Sequence, residues 1–172
     1  MVLSKKFFQR PAKVVAEDLL GKYLVRRFAD GRIWAEMITE VEIYDGPRDK
    51  ASHASRGLTK RNAPMFEAGG IFYVYLCYGM YQMLNVVTGE KDYPAAILIR
   101  ATDKTKGPGR LTRKFAIDKK FDGAPAKRET GLWFEDRGVV IEPKKITRAP
   151  RTGVDYAGDV WKNKKYKFFL KT

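Results

Sequence analysis

The sequence predicts an α+β fold in which strands outnumber helices, and three stretches carry this prediction. Apolar and polar residues alternate along Trp34–Tyr44, as they do in a strand with one buried face. Two runs rich in β-branched and aromatic residues flank Gly79, which is typical of a hairpin. Ala95–Ile99 is a continuous apolar run of the kind found in central strands, and Arg100 follows it.

The composition indicates one globular domain, which we expect to span residues 1–172. Hydrophobic residues make up 44% of the chain and aromatic residues 13%, which is enough to bury a substantial core. Lys and Arg number 34 against 20 Asp and Glu, a net charge of +14. The excess is +4 up to Asn85 and +10 after it. This balance favours a polyanionic partner, with nucleic acid preferred over a membrane surface.

The chain lacks the marks of a membrane, secreted or zinc-binding protein. No apolar run approaches the roughly 18 residues of a membrane span, and no signal-peptide pattern opens the chain. Cys77 is the only cysteine and His53 the only histidine, so an internal disulfide is impossible and an ordinary structural zinc site is not expected. We therefore expect a cytoplasmic protein with no metal and no cofactor.

The elements of the first half follow from helix and turn signals. Pro11 begins a short amphipathic helix that Gly21 ends. Lys22–Phe28 is predicted to be a strand, and Asp30-Gly31 is the hairpin turn that leads into the long strand. The loop Asp45–Pro64 is polar, basic and too long for a plain connector, which indicates a functional loop.

The second half carries weaker signals. Gly107–Leu111 leads into a basic helical segment, and this start is as compatible with a phosphate cradle as with an ordinary turn. Leu132–Glu135 and Val139–Glu142 are predicted to pair as a hairpin, and Tyr166–Leu170 is predicted to be the last strand. We find no internal repeat and no clear linker.

The long strand places a row of carboxylates on one face. Because side chains alternate with period two, one face is expected to hold Ala35, Met37, Thr39, Val41 and Ile43. The other is expected to hold Trp34, Glu36, Ile38, Glu40, Glu42 and Tyr44. Gly46-Pro47 ends the strand, and His53 follows six residues later. An ordinary solvated strand face is the alternative explanation of the carboxylates.

The tip of the predicted hairpin is unusually apolar. It carries Tyr78, Met80 and Tyr81 around Gly79. Large apolar groups at a turn are normally avoided unless they bind something. Together with the positive charge, this tip suggests a wedge that enters a base stack, whereas the ordinary alternative is an aromatic-rich core hairpin.

Taken in collinear order, these stretches resemble the alkyladenine (3-methyladenine) DNA glycosylase family. The resemblance covers nearly the whole chain and lies in Thr39–Tyr44, His53, Arg61-Asn62, Met65-Phe66, Tyr73–Tyr75, Tyr78–Tyr81, Asn85, Leu98–Arg100, Gly107–Leu111, Ala116-Ile117, Arg151–Val154 and Ala157-Gly158. It implies a β-rich α+β fold with a curved antiparallel sheet (an open barrel or roll), peripheral helices and a protruding hairpin that inserts into DNA. It also implies hydrolysis of the N-glycosidic bond of damaged purines in double-stranded DNA, without metal and without a lyase step.

The resemblance assigns roles to particular residues. Glu42 matches the general base that activates a water, and Arg100 matches a residue that positions this water and a phosphate. Tyr44 and Tyr75 match the aromatic walls that hold the flipped base, with His53 as the opposite wall and a source of a backbone hydrogen bond. Among the carboxylates, Glu40 and Glu36 are the rivals of Glu42 on the predicted face, and the resemblance selects Glu42.

The remaining matches concern base selection and DNA contact. Asn85 matches a pocket amide that discriminates against the 2-amino group of guanine. Tyr78 matches the side chain that fills the gap left in the duplex, and Met80 and Tyr81 are expected to intercalate with it. Contacts to water or phosphate are expected from Arg61, Arg110, Arg151 and Thr152. The chain departs from the family at Thr152, where relatives carry a valine whose carbonyl is thought to hold water.

Three functions remain open at this point. The first is a monofunctional DNA glycosylase of base-excision repair, acting as a monomer on nucleoid DNA in a bacterial-type cytoplasm. The second is a non-catalytic nucleic-acid-binding module, and the third is a metal-free hydrolase of small nucleosides. For the first, hypoxanthine, 3-methyladenine, 7-methylguanine and ethenoadenine are all expected as substrates, and the sequence does not rank them.

Overall fold

A computed structural model describes residues 1–171 of the chain. Eight strands form one antiparallel sheet that is not closed: β1 Tyr23–Arg27, β2 Ile33–Asp45, β3 Phe72–Cys77, β4 Tyr81–Val87, β5 Ala95–Thr102, β6 Leu132–Glu135, β7 Ile146–Ala149 and β8 Lys167–Leu170. The helices are short: α1 Lys5–Phe8, α2 Ala12–Leu19, α3 Pro108–Lys114 and α4 Gly158–Lys162. The predicted strand-rich α+β class is confirmed.

The long strand β2 organises the sheet. The strand order is β3-β4-β5-β2-β1-β6, and β8 pairs with both β2 and β7. The first half of β2 pairs with β1, whereas its second half pairs with β5 on one side and with β8 on the other. The end of β2 is therefore held from both sides, which fixes the backbone that carries Glu42 and Tyr44.

The structure corrects the predicted faces of β2. Strict alternation places Ile38 and Val41 on opposite faces, but both are fully buried in the same core. The register between β2 and β5 shifts on both sides of Glu40, so that Thr39 of β2 and Arg100 of β5 have no partner there, which is a β-bulge. Because the alternation reverses at this bulge, Ile38 and Glu36 before it lie on the face of Val41, and only the residues after it keep the face of Glu42.

The main core lies on the face of the sheet opposite to Glu42. Helix α2 contributes Val15 and Leu19, both fully buried, against Val41 of β2 and Ile97 of β5. Burying each of these aliphatic side chains contributes about 1.5–3 kcal/mol. The packing therefore leaves the opposite face of β2, β4 and β5 free to carry polar groups.

The second half of the chain differs most from the prediction. Val139–Glu142 is not a strand, so the predicted hairpin with β6 is wrong. The N-terminus occupies that edge instead, because Val2 bridges to Glu135 and the Leu3 N–H donates to the Phe134 carbonyl at 2.9 Å. Strand β7 and helix α4 carry no clear periodicity and were not predicted. No helix described within residues 1–171 is long and apolar enough to cross a membrane.

Candidate active site

The end of β2, the β3–β4 hairpin and two loops enclose a cleft of ≈1100 Å³. The loops are residues 48–62, after β2, and residues 152–156, after β7. Seven of the predicted site residues line this cleft: Tyr44, His53, Arg61, Tyr75, Tyr78, Arg100 and Thr152. Asn85 lines a smaller pocket that opens beside it, and Met80, Tyr81, Arg110 and Arg151 do not line either space.

Glu42 lies fully buried beneath the floor of the cleft. Its Oε1 accepts the Thr152 N–H at 2.8 Å, and its Oε2 accepts the Tyr44 hydroxyl at 3.2 Å. The Arg100 Nη1 lies 3.5 Å from Oε2. Burial raises the pKa of the Glu42 carboxyl, while Arg100 and these donors partly offset the rise. Such a carboxylate can accept a proton at neutral pH more readily than an ordinary glutamate.

The two rival carboxylates have other partners. The Arg100 Nε donates to Glu40 Oε1 at 3.0 Å, so Arg100 bridges Glu40 and Glu42. Glu40 is partly exposed and does not line the cleft. Glu36, on the other side of the bulge, is fully buried and pairs with Lys114 at 2.6 Å and with the Thr102 hydroxyl. Of the three carboxylates, Glu42 is therefore the one that accepts hydrogen bonds from two residues of the cleft lining, Tyr44 and Thr152.

The aromatic walls are arranged differently from the expectation. The rings of His53 and Tyr75 contact each other edge to face, with centroids 4.6 Å apart, so no base fits between them. The Tyr73 ring lies 5.3 Å from Tyr75, and its hydroxyl is 2.9 Å from His53 Nδ1. His53 and Tyr75 thus form one wall rather than two opposing walls, and Tyr44 lines the cleft separately.

The innermost pocket is small. Its volume is ≈30 Å³, and its lining includes Tyr44, His53, Tyr75 and Asn85. This space holds one or two water molecules and no purine. In this arrangement the aromatic side chains fill most of the space between the strand end and the loops.

The aromatic groups on the histidine side of the pocket are themselves uncharged, although Arg61 lies close to them. Burial lowers the pKa of His53, and the charge of Arg61 lowers it further, so the ring is neutral at pH 7. Burial raises the pKa of Tyr73 to about 12, so its hydroxyl also stays protonated. A neutral aromatic wall attracts a cationic purine, whereas a charged imidazolium would repel it.

Asn85 is buried with its amide orientation fixed by backbone acceptors. Its Nδ2 donates to the Tyr73 carbonyl at 3.1 Å and to the Met83 carbonyl at 3.4 Å. The side-chain oxygen is therefore the group left for the pocket. Because a carbonyl oxygen attracts amino groups, discrimination against the 2-amino group of guanine would have to be steric.

The hairpin tip has a backbone conformation that glycine or asparagine normally adopts. Tyr78 has φ +50° and Gly79 has φ +66°, and the Met80 N–H donates to the Cys77 carbonyl at 3.1 Å. Two positive φ values at the centre of a two-residue turn are typical of type I′. The Tyr78 side chain is 85% exposed and that of Met80 69%, so packing does not offset the strain. Strain of this kind in a bulky residue is typical of functional sites.

The basic residues expected to contact water or phosphate fall into two groups. Arg61 and Arg110 are exposed, and Arg61 donates to the Leu76 carbonyl at 3.1 Å while lying over the Tyr75 ring. Arg151 is buried, and its guanidinium pairs with Asp49. The expected phosphate contact of Arg151 is therefore not supported, because its charge is already neutralised inside the protein.

Sequence reasoning missed two residues of this site. Tyr156 is 69% exposed and lines both the cleft and the small pocket, with its hydroxyl donating to the Ala51 carbonyl at 2.9 Å. It is a single tyrosine in an irregular loop, where no periodic signal marks it. Asp49 is a charged loop residue in sequence, but it is completely buried. Among residues 1–171, no cluster of three His, Cys, Asp or Glu side chains is placed to hold a metal ion.

Comparison with known proteins identifies the class. The sequence profile of methylpurine-DNA glycosylase (MPG) matches residues 6–106 and 101–172. A protein of Methanocella arvoryzae with the provisional name 3-methyladenine DNA glycosylase is 44% identical, over 92% of this chain and 87% of its own. A protein with the same name from Anaeromyxobacter sp. (strain Fw109-5) is 42% identical, over 99% of this chain and 89% of its own. A third, from Streptomyces avermitilis, is 40% identical, over 92% of this chain and 84% of its own.

The chain belongs to the methylpurine-DNA glycosylase family, which confirms the resemblance seen in the sequence. It is a DNA N-glycosylase, a hydrolase of DNA repair that acts on damaged DNA. This membership excludes the non-catalytic module among the three functions left open by the sequence.

Proposed function

We propose that this protein is a monofunctional glycosylase of base-excision repair. It extrudes alkylated or deaminated purines from duplex DNA and hydrolyses the N-glycosidic bond with a water activated by Glu42, which leaves an abasic site. The observation that carries the proposal is the burial of Glu42 at the cleft floor, between Tyr44, Arg100 and Thr152. We further propose that it acts as a monomer on cytoplasmic DNA.

Extrusion of the nucleotide is assigned to the hairpin tip. A base inside a duplex cannot reach the cleft, so its nucleotide must leave the stack at a cost of a few kcal/mol. Tyr78, exposed at the tip, fills the vacated space, and Met80 extends the apolar wedge. The extruded base gains stacking on Tyr44, on the wall of His53 and Tyr75, and on the anchored ring of Tyr156.

The chemical step needs one proton acceptor and one held water. The water oxygen bonds to C1′, its proton passes to Glu42, and the N-glycosidic bond breaks with its electron pair leaving on the base. Arg100, which already bridges Glu40 and Glu42, orients the water and a nearby phosphate. A cationic alkylpurine leaves as a neutral base, whereas hypoxanthine leaves as an anion that then takes a proton.

The chemistry of the walls favours damaged purines. Cationic 3-methyladenine and 7-methylguanine gain a cation–π contribution from neutral aromatic rings. The provisional name of the relatives points to 3-methyladenine, and the pocket chemistry also accommodates hypoxanthine and ethenoadenine. The buried Asn85 hinders the 2-amino group that guanine and 7-methylguanine share, and only the cationic 7-methylguanine gains a cation–π contribution that offsets this hindrance.

A panel of single-lesion duplexes tests the proposal. Purified protein should release hypoxanthine or 3-methyladenine from a labelled duplex and leave free inosine intact. Activity on inosine with none on the duplex would support the small-nucleoside hydrolase instead. Lys50 lines the outer cleft, so borohydride is added to a parallel reaction. A monofunctional enzyme gives no trapped protein–DNA adduct, and a trapped adduct would contradict the hydrolytic mechanism.

A further inference from the structure

We infer that Asp49 and Arg151 are positioning residues that hold Glu42 in its proton-accepting geometry. The inference rests on the proposed function and deepens it, because it gives a positioning role to two side chains that contact neither the base nor the sugar. Asp49 lies in the loop that follows β2, and Arg151 lies in the loop between β7 and α4. We call this pair the Asp49–Arg151 clamp.

The clamp is buried, and two guanidinium nitrogens of Arg151 each donate to one carboxylate oxygen of Asp49. Both side chains are completely excluded from solvent. The Arg151 Nη1 donates to Asp49 Oδ2 at 2.5 Å, and Nη2 donates to Oδ1 at 2.8 Å. Asp49 also accepts the backbone N–H groups of Asp45 and Ala51, each at 3.1 Å. Because the bidentate pair fixes both planes, the clamp sets the orientation of the segments it joins.

The clamp ties the end of β2 to the loop that carries Thr152. The Arg151 Nη1 also donates to the Ile43 carbonyl at 2.8 Å. Its guanidinium carbon lies 4.9 Å from the centre of the Tyr44 ring. Ile43 and Tyr44 directly follow Glu42, so the backbone beside the carboxylate is held by the same guanidinium.

The link to the carboxylate itself is the next residue of the chain. Thr152 follows Arg151, and its backbone N–H donates to Glu42 Oε1 at 2.8 Å. This donor stabilises the ionised carboxylate and lowers its pKa against the rise caused by burial. A displaced Arg151 therefore displaces the Thr152 N–H, which frees Glu42 to move and raises its pKa further.

Stability alone is a weak explanation for such a pair. The desolvation of two buried charges consumes most of their attraction, and apolar replacements of similar volume are often neutral for folding. An apolar pair would pack equally well but could not join the Asp49 loop to Ile43 and Tyr44 through one planar group. The contacts of Arg151 are therefore better explained by the positioning of Glu42 than by a gain in folding stability.

The experiment uses Arg151→Lys, which keeps the positive charge and removes the planar fork. Single-turnover excision of hypoxanthine is measured across pH, and the Glu42 carboxyl is titrated by carbon NMR, with Glu42→Gln identifying its signal. We expect the excision rate to fall about 10- to 100-fold, because a small misplacement of the reacting groups has that effect. The Glu42 pKa and the acid limb of the rate should both move upward by about one pH unit.

A core variant remote from the cleft controls for loss of stability. Leu132→Ala removes a fully buried side chain in β6, at the far end of the sheet order, and should lower stability without moving the Glu42 pKa. If Arg151→Lys does not fold, Asp49→Asn is measured in its place. An unchanged Glu42 pKa in the folded clamp variant, or an equal shift in Leu132→Ala, would overturn the inference. If the unmodified protein excises nothing, the proposed function fails while the NMR titration still decides on the clamp.

Discussion

The floor of the cleft and the tip of the hairpin contrast in almost every physical respect. At the floor, Glu42 is fully buried and both of its oxygens accept hydrogen bonds from neighbours. At the tip, Tyr78 is exposed, has a positive φ and gains little from packing. The floor is thus organised before any substrate binds. At the tip, by contrast, the side chains proposed to insert into the base stack remain exposed to solvent.

This contrast separates two tasks of a base-extruding hydrolase. Chemistry requires a proton acceptor at a fixed position, and a buried, fully bonded carboxylate provides one. Capture requires an apolar group that can leave water for a base stack, and a strained, solvated tyrosine provides it. Changes at the floor should therefore affect the chemical step, and changes at the tip should affect capture.

The largest expected effect is that of Glu42→Gln. The substitution keeps size and hydrogen bonding but removes the proton acceptor, so single-turnover excision should fall by at least about 10²–10⁴-fold. Affinity for lesion DNA, measured by fluorescence anisotropy, should stay the same or improve because a negative charge near the phosphates disappears. A substitution at the floor would then slow bond cleavage without weakening the binding of lesion DNA.

Glu40→Gln is the matched control for this substitution. Glu40 bears the same functional group, contacts the same Arg100 and lies on the same strand. Its single-turnover excision should remain largely intact. Near-normal excision by Glu42→Gln, or loss of excision in Glu40→Gln alone, would refute the assignment of the general base.

The next effect concerns Tyr78→Ser at the tip. Loss of the side chain that fills the duplex should weaken the extruded state by a few kcal/mol. A lesion in a mismatched pair leaves the stack more easily, so it should suffer less than the same lesion in a stable pair. Excision rates on the two duplexes provide the comparison. Equal loss on both, or none on either, would return Tyr78 to a purely structural role.

The pH dependence of excision tests the environment of the floor. Burial raises the pKa of Glu42, and only its ionised form accepts the proton. Excision should therefore fall as pH drops through this raised pKa, so the acid limb should lie above the ordinary glutamate value of 4.5. DNA affinity measured over the same pH range separates chemistry from binding. An acid limb at or below 4.5 would contradict the effect of burial.

The smallest effect is expected on the basic surface beside the tip. Arg110 and Arg113 are exposed on α3, whose Gly109 packs against Tyr81 of the hairpin. Each phosphate contact adds about 0.9 to the slope of log affinity against log salt. Arg110→Ala with Arg113→Ala should reduce that slope by up to about 2 on undamaged duplex. Arg27→Ala combined with Arg32→Ala, both exposed on the β1–β2 hairpin, serves as a control that removes the same two charges, and an equal reduction there would argue against a local contact.

The sequence predicted the elements with strong local patterns and missed those defined by long-range contacts. The apolar run of β5 and the amphipathic helix α2 lie where their periodicity placed them. The bulge at Thr39 is not visible in the alternation, because it depends on the register between β2 and β5. The same holds for the N-terminus, which takes the edge of β6 through backbone bonds that no side-chain pattern reports.

The candidate site divides in the same way. The alternation predicted that Glu42 and Tyr44 share a strand face, and the Tyr44 hydroxyl does contact Glu42, whereas the choice of Glu42 over Glu40 came from the family resemblance. The burial of Arg151 was missed, because its partner Asp49 lies about a hundred residues away and both look like solvated loop charges. The contact between His53 and Tyr75 was also missed, since it depends on how the loop after β2 folds onto β3.

One measurement tests most directly whether the floor and the tip perform separate tasks. Ethenoadenine is fluorescent, and its emission changes when it leaves the base stack for the aromatic pocket, so this change reports extrusion while gel analysis of the same sample reports bond cleavage. Glu42→Gln should give the emission change of the unmodified protein with almost no cleavage, whereas Tyr78→Ser should give a smaller change. Normal cleavage by Glu42→Gln, or a full emission change with Tyr78→Ser, would contradict the account.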